Sequence, residues 1–249
     1  MTTAEIARAP TSAEWVRVDR LTKRYRDVTA LAGVDFSIRP GEILGLIGPN
    51  GAGKTTLFEC LAGVLPQDAG TVFLEGQPLT TRTRTETLFY LPDAIAPWPS
   101  QSVEWALDFS IGFFGGRVDL RREITDGLAL TALMRTPIGA LSKGQRKRAL
   151  LAIGLLTSQP MLLADEPFEG LDLRQTREVA AVLRAHAQAG RTLFLSIHQI
   201  ADAARICDRF VLLSAGKVCG EGTLDELSAV ARARGAAAST LEEVFLALT

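Results

Sequence analysis

Gly48-Pro49-Asn50-Gly51-Ala52-Gly53-Lys54-Thr55 follows the apolar run Glu42–Ile47 and opens a helical pattern that starts at Lys54. The stretch fits G-x-x-x-x-G-K-[ST] in full. Its glycines let the backbone turn tightly, so that the N–H groups of Asn50, Gly51, Ala52 and Gly53 point inward at phosphate oxygens. The positive end of the following helix dipole adds to that field. Lys54 reaches the β- and γ-phosphates, the Thr55 hydroxyl offers a hard oxygen to Mg²⁺, and Thr56 completes the first helical turn beside them. A glycine turn that binds nothing is the plain alternative. The placement between an apolar strand and a helix argues against it.

Working outward, a second chemical signal lies in Met161-Leu162-Leu163-Ala164-Asp165-Glu166. Two carboxylates end a buried strand, and ligands of open parallel sheets collect at that edge. Asp165 is suited to the Mg²⁺ shell and Glu166 to general-base work on an attacking water. The runs Met161–Ala164, Leu193–Ile197 and Phe210–Leu213 alternate with helical spacers, the mark of an α/β fold with a parallel sheet.

Upstream, Trp15 to Arg39 reads as strand and Pro40-Gly41 as a turn. Lys54 to Val64 reads as helix, Thr71 to Leu74 as a short strand, and Thr81 to Thr87 as a solvated loop or helix start. The stretch from about 94 to 140 changes character, with Trp98, Trp105, Phe109, Phe113 and Phe114 among helix formers, and is expected to be a mainly helical insert. A helix over Gln145–Thr157 has Ser142 as its capping side chain. Residues 221–249 are helical in pattern, and residues 1–13 are expected to form a flexible tail ahead of one domain over 14–249.

Composition narrows the function classes. The 249 residues are 47% hydrophobic and 22% charged with net charge −1, which lacks the basic excess of a nucleic-acid binder. The longest charge-free stretch, Ala149 to Ala164, is shorter than the roughly 20 apolar residues of a membrane span. Met1 to Pro10 has no apolar core to act as a secretory signal, so the expected location is the cytosol. Cys60, Cys207 and Cys219 are scattered without metal-ligand spacing.

Leu141-Ser142-Lys143-Gly144-Gln145, between the phosphate loop and the Asp-Glu strand, resembles the signature loop of the ATP-binding subunits of ABC transporters. The resemblance covers about residues 16 to 249. It implies a phosphate-loop NTPase core with a small antiparallel β subdomain and a helical subdomain over about 94–145. Ser142, Gly144 and Gln145 would then grip the γ-phosphate held by a second subunit, giving a head-to-tail dimer around two ATP–Mg²⁺. The resemblance also makes Tyr25 the ring that stacks on adenine and His198 the sensor of the γ-phosphate. Asp172 becomes the loop residue that crosses to the partner. Leu241-Glu242-Glu243-Val244-Phe245 resembles exporters of drugs, antibiotics or polysaccharides. The implied activity is ATP hydrolysis driving transport through a separately encoded permease, with the chain on the cytoplasmic face of the membrane.

Departures from the family pattern are specific. Asp93 stands where the family has a glutamine that binds Mg²⁺, and it is expected to serve as a shorter, charged ligand. Lys143 replaces a signature glycine, Ile197 a threonine and Leu173 a proline. Two other readings remain at this stage: a permease-free ATPase, as in a cofactor-assembly scaffold, and a nucleotide-binding protein that no longer hydrolyses. The presence of Lys54, Asp165, Glu166 and His198 argues against the second.

Overall fold

Runs that are apolar at every position need cover on both faces of a sheet. Ile43–Ile47 and Met161–Ala164 satisfy this as inner strands of a six-stranded sheet in the computed structural model, which describes residues 14–93, 95–236 and 238–249. The expected tail over 1–13 lies outside the described residues. The described residues open with β1 (Val16–Tyr25), β2 (Val28–Ile38), β3 (Ile43–Ile47) and α1 (Lys54–Ala62). There follow β4 (Ala69–Leu74), β5 (Gln77–Pro78), α2 (Thr81–Thr87) and β6 (Leu88–Leu91). The insert supplies α3 (Val103–Phe114) and α4 (Arg121–Gly127), and α5 (Lys143–Leu156) leads back to β7 (Met161–Asp165). The remainder is α6 (Leu173–Gln188), β8 (Thr192–Ile197), α7 (Ile200–Ile206), β9 (Arg209–Ser214), β10 (Lys217–Gly222), α8 (Leu224–Ala233) and α9 (Leu241–Leu248).

The main sheet runs in the order β10-β9-β3-β8-β7-β6, with β10 antiparallel to β9 and the other neighbours parallel. The pairs Ile47↔Ile197 and Asp165↔Ser196 bring the ends of β3, β7 and β8 to one edge. A four-stranded antiparallel sheet, β2-β1-β4-β5, forms the small β subdomain.

Successive strand side chains point to opposite faces, and β3 divides its side chains accordingly. Leu44 and Leu46 pack with α1 and the second sheet, in a cluster that includes Val18, Phe36, Leu57, Phe58 and Phe194. Ile43 and Ile47 face the other layer, which holds Leu150, Ile153, Leu183 and Ile206. The Phe58 and Phe194 rings meet edge-on at 4.9 Å, fixing α1 against the sheet. Among the described residues no helix is long and apolar enough to cross a membrane.

Several boundaries differ from expectation for local reasons. The first helix ends at Ala62 because Gly63 takes a left-handed conformation, φ 74°. Thr81–Thr87 is a helix, started by a capping box between Thr80 and Thr83. Leu88–Leu91 is an edge strand, defined by its parallel pairing with β7 and not by a local pattern. Residues 217–222 form β10 ahead of the C-terminal helices, so the helical pattern begins at Leu224. In the helical insert, one 3-10 turn (Val118–Leu120) links α3 to α4, and two more (Thr131–Leu133 and Ile138–Ala140) lie between α4 and α5.

Burial of His186 on α6, helped by the cations Arg191 and Arg117, lowers its pKa from 6.5 to about 4. The folded ring stays neutral while the unfolded chain takes up a proton below 6.5, so stability present above that value is lost as pH falls towards 4. Thermal unfolding should therefore start earlier at about pH 5 than at about pH 7.5, and His186→Gln should shrink that difference. An undiminished difference in the variant would assign the acid sensitivity to other groups.

Candidate functional site

The phosphate loop joins β3 to α1, and two glycines make its path possible. Gly53 is the N-cap of α1 with φ 104°, and a Cβ there would lie 2.6 Å from the Ala30 carbonyl oxygen. A Cβ on Gly48 would lie 2.3 Å from the Leu213 carbonyl oxygen. Lys54 folds back along the loop, its ammonium donating to the carbonyls of Gly48 at 2.8 Å and Pro49 at 3.2 Å. Burial lowers its pKa, against the pull of the Glu166 and Asp165 carboxylates. Asn50, Gly51, Gly53, Lys54, Thr55 and Thr56 line a cavity of about 480 Å³, closed on one side by Val28–Ala30 and on another by Glu166. Ala52 is buried behind the loop, where its N–H donates to Pro49 O and its carbonyl accepts from Gly216.

The carboxylates meet this loop from β7. Thr55 Oγ1 donates to Asp165 Oδ2 at 2.7 Å, and Ser196 Oγ on β8 donates to Asp165 Oδ1 at 2.5 Å. Ser196 Oγ also accepts the Glu166 N–H at 2.9 Å. One hydroxyl and one carboxylate side by side suit Mg²⁺, which is commonly held by one or two protein oxygens together with substrate phosphates and water. Among the described residues no group of three or more His, Cys, Asp and Glu could hold a metal without that help.

Glu166 has φ 48°, a left-handed backbone uncommon outside glycine. Burial raises its pKa; Lys54 opposes this, while Glu169, Asp165 and Asp93 add to it. Its side chain borders the phosphate cavity and also a second cavity of about 100 Å³, whose wall includes Ser196, His198 and Glu169. His198 is exposed at the end of β8 and shares this hollow with Glu166.

Other expected residues sit apart from the phosphate cavity. Ser142 caps α5, accepting from Gln145 N–H at 3.3 Å while its own N–H donates to Gln145 Oε1 at 2.9 Å. Gly144 presses against the loop after Glu166, where a Cβ would come 2.6 Å from Gly170 O. Neither Ser142 nor Gln145 lines the cavity over Lys54. Asp172 caps α6 by accepting from Gln175 N–H at 2.8 Å. Tyr25 ends β1, 44% exposed, opposite the cavity-lining Val28. Asp93 Oδ1 accepts from Lys147 Nζ at 2.6 Å. Lys143, the residue in place of a glycine, pairs with Glu169 at 2.5 Å.

Two residues that sequence reading missed take part. Ser196 was signalled only by being a hydroxyl inside the apolar run Leu193–Ile197. Lys147 had no signal, because it lies in the charged run Lys143–Arg148 that resembles an exposed helix face.

Residues 31–169, more than half of the 249, match the family model described as ABC transporter. An uncharacterized ABC transporter ATP-binding protein of Rhizobium meliloti is 32% identical over 83% of this chain and 80% of its own length. The Nod factor export ATP-binding protein I of Burkholderia orbicola is 33% identical over 80% of this chain and 68% of its own. The SkfA peptide export ATP-binding protein SkfE of Bacillus subtilis is 30% identical over 82% and 87%. A solved ATP-binding subunit of an ABC transporter superposes with TM-score 0.83 and 26% identity, covering 94% of this chain and 99% of that one. The chain belongs to the ABC transporter ATP-binding family, whose members are ATPases that power transport.

Proposed function

We propose that this chain is the ATP-hydrolysing motor of an exporter, working as a head-to-tail homodimer on the cytoplasmic face of a membrane beneath a separately encoded permease. The carrying observation is a divided site. Lys54, Thr55 and Glu166 line the phosphate cavity and Asp165 is hydrogen-bonded to Thr55, while the capped N-terminus of α5 with Ser142 lies exposed outside its wall. A second copy related by twofold symmetry would supply its own Ser142, Gly144 and Gln145 to that cavity. The exposed Asp172 would then face the partner.

In this reading the loop N–H groups and Lys54 bind the phosphates, and Tyr25 stacks on the base. Thr55 and Asp165 hold Mg²⁺, which when bound neutralises charge on the phosphate oxygens. Glu166 accepts a proton from the attacking water at its carboxylate, and His198, across the shared hollow, orients that water.

The membrane partner is supported by α3. Trp105, Phe109 and Phe113 recur every four residues and are 39%, 38% and 71% exposed. Their rings stack in sequence with centroids 5.1 and 5.7 Å apart, and Trp98 meets two of them edge-on. An exposed aromatic stripe of this kind marks an interaction surface. The Nod factor and peptide export proteins support export as the direction.

Glu166→Gln should lower ATP turnover by about 10² or more while ATP still binds. Turnover within a few-fold of the unaltered protein would remove Glu166 from the base role. Tagged protein drawn from gently solubilised membranes should bring down a multi-spanning subunit. A purely soluble complex with intact ATPase activity would move the assembly-scaffold reading ahead. The rate should also follow pH in a fixed sense. The base must be deprotonated and its pKa is raised, so activity falls on the acid side at a pH above the usual carboxylate value of 4.5. Lys54 must stay charged and its pKa is lowered, so the alkaline limb falls below 10.5. A kcat/KM–pH profile flat across the acid side would contradict the first assignment.

A further inference from the structure

Lys147 is a charged side chain only 6% exposed, on the second turn of α5. Buried lysines are rare unless paired, and an ammonium carries three N–H donors. Three acceptors surround this one: Asp93 Oδ1 at 2.6 Å, Asp93 O at 3.4 Å and Asp165 O at 3.4 Å. They come from two places. Asp93 lies two residues beyond Leu91, the last residue of β6, and Asp165 is the last residue of β7. Those strands are parallel neighbours, with Leu91 opposite Ala164. Lys147 therefore bridges the ends of both strands from the helix that follows the signature loop.

The same helix face makes a second contact one turn earlier. Lys143 pairs with Glu169, and its stem runs along Gly170, where a Cβ would lie 3.1 Å from Lys143 Cγ. With Gly144 pressed on Gly170 as well, the first turn of α5 is seated on the segment between Glu166 and Asp172.

We propose that Asp93 and Lys147 form a positioning ion pair that fixes the loop after β6 and the end of β7 to α5, so that Asp93 is the counter-ion of Lys147 and not a ligand of the metal. Charge at position 93 and charge at position 147 then depend on each other. Lys147 alone is a buried charge without its partner and Asp93 alone an unpaired carboxylate about one-third exposed, whereas two neutral groups remove both together. Lys147 acts on the reaction only through the placement of Asp165 and the segment leading to Glu166.

The test rests on the ATPase reading for its kinetic arm and is independent of it for its stability arm. Asp93→Gln, Lys147→Gln, the double variant D93Q/K147Q and the charge-keeping Lys147→Arg are compared in the full chain, well below their unfolding temperatures. Each single neutralisation should lower kcat by about tenfold or more with KM for ATP within about threefold, and each should lower Tm. The double variant should recover most of both losses, and Lys147→Arg should retain most of the activity. The Mg²⁺ concentration for half-maximal rate should stay unchanged in Asp93→Gln. Losses that simply add in the double variant would overturn the pair. So would a Mg²⁺ requirement raised about tenfold by Asp93→Gln beside an intact Lys147→Gln enzyme. If the unaltered chain showed no ATPase activity, the functional reading would fail, while the Tm cycle would still decide the pair.

Discussion

The hydrogen bond from Thr55 Oγ1 to Asp165 Oδ2 joins the start of α1 to the end of β7, and the working geometry of this protein depends on it. The two residues are separated by 110 positions in the chain and by two strands' width in the sheet order. They meet because β3, β8 and β7 are parallel and in register, which lines their C-terminal ends along one edge. Ser196, on the strand between them, takes the other Asp165 oxygen and the Glu166 N–H. That contact fixes the Asp165 carboxylate proposed to hold metal and the backbone of Glu166, the proposed proton acceptor. The left-handed backbone at Glu166 is held within this network, as expected where tertiary contacts over-determine a strained residue.

Charge balance is the second organising constraint. Asp93, Asp165, Glu166 and Glu169 crowd a small region that must also receive a polyanionic nucleotide. Burial and the neighbouring carboxylates raise the pKa of Glu166, and the same negative charge opposes phosphate binding. Lys54 lies on the phosphate side, and Lys143 and Lys147 take Glu169 and Asp93 from the α5 side. The signature helix is thus bound by ion pairs to the segment after Glu166 and to the loop after β6, while its capped N-terminus remains exposed.

Most of the architecture was legible because its signals are local. An eight-residue loop with fixed chemistry, short apolar runs and Asp-Glu at a strand end each declare themselves within a few residues. The less legible elements were those with weak local patterns. β6 is a four-residue edge strand whose identity comes from pairing with β7, and β10 is polar and glycine-rich, stabilised by antiparallel pairing with β9. The aromatic residues of the insert could have been core, and only the packing of α3 leaves Trp105, Phe109 and Phe113 facing outward.

The sequence by itself determined the nucleotide loop, the two carboxylates, the parallel α/β class and the family, because each is encoded by contiguous residues whose backbone and side-chain chemistry act at short range. Tertiary structure alone decided which distant groups touch. It put Ser196 against the Asp165 carboxylate and the Glu166 N–H, turned Lys143 towards Glu169, and paired Asp93 with a buried lysine. The physical reason is that a buried charge must find its partner in space, and the partner's distance along the chain is set by sheet order and helix seating, which no short stretch of residues specifies.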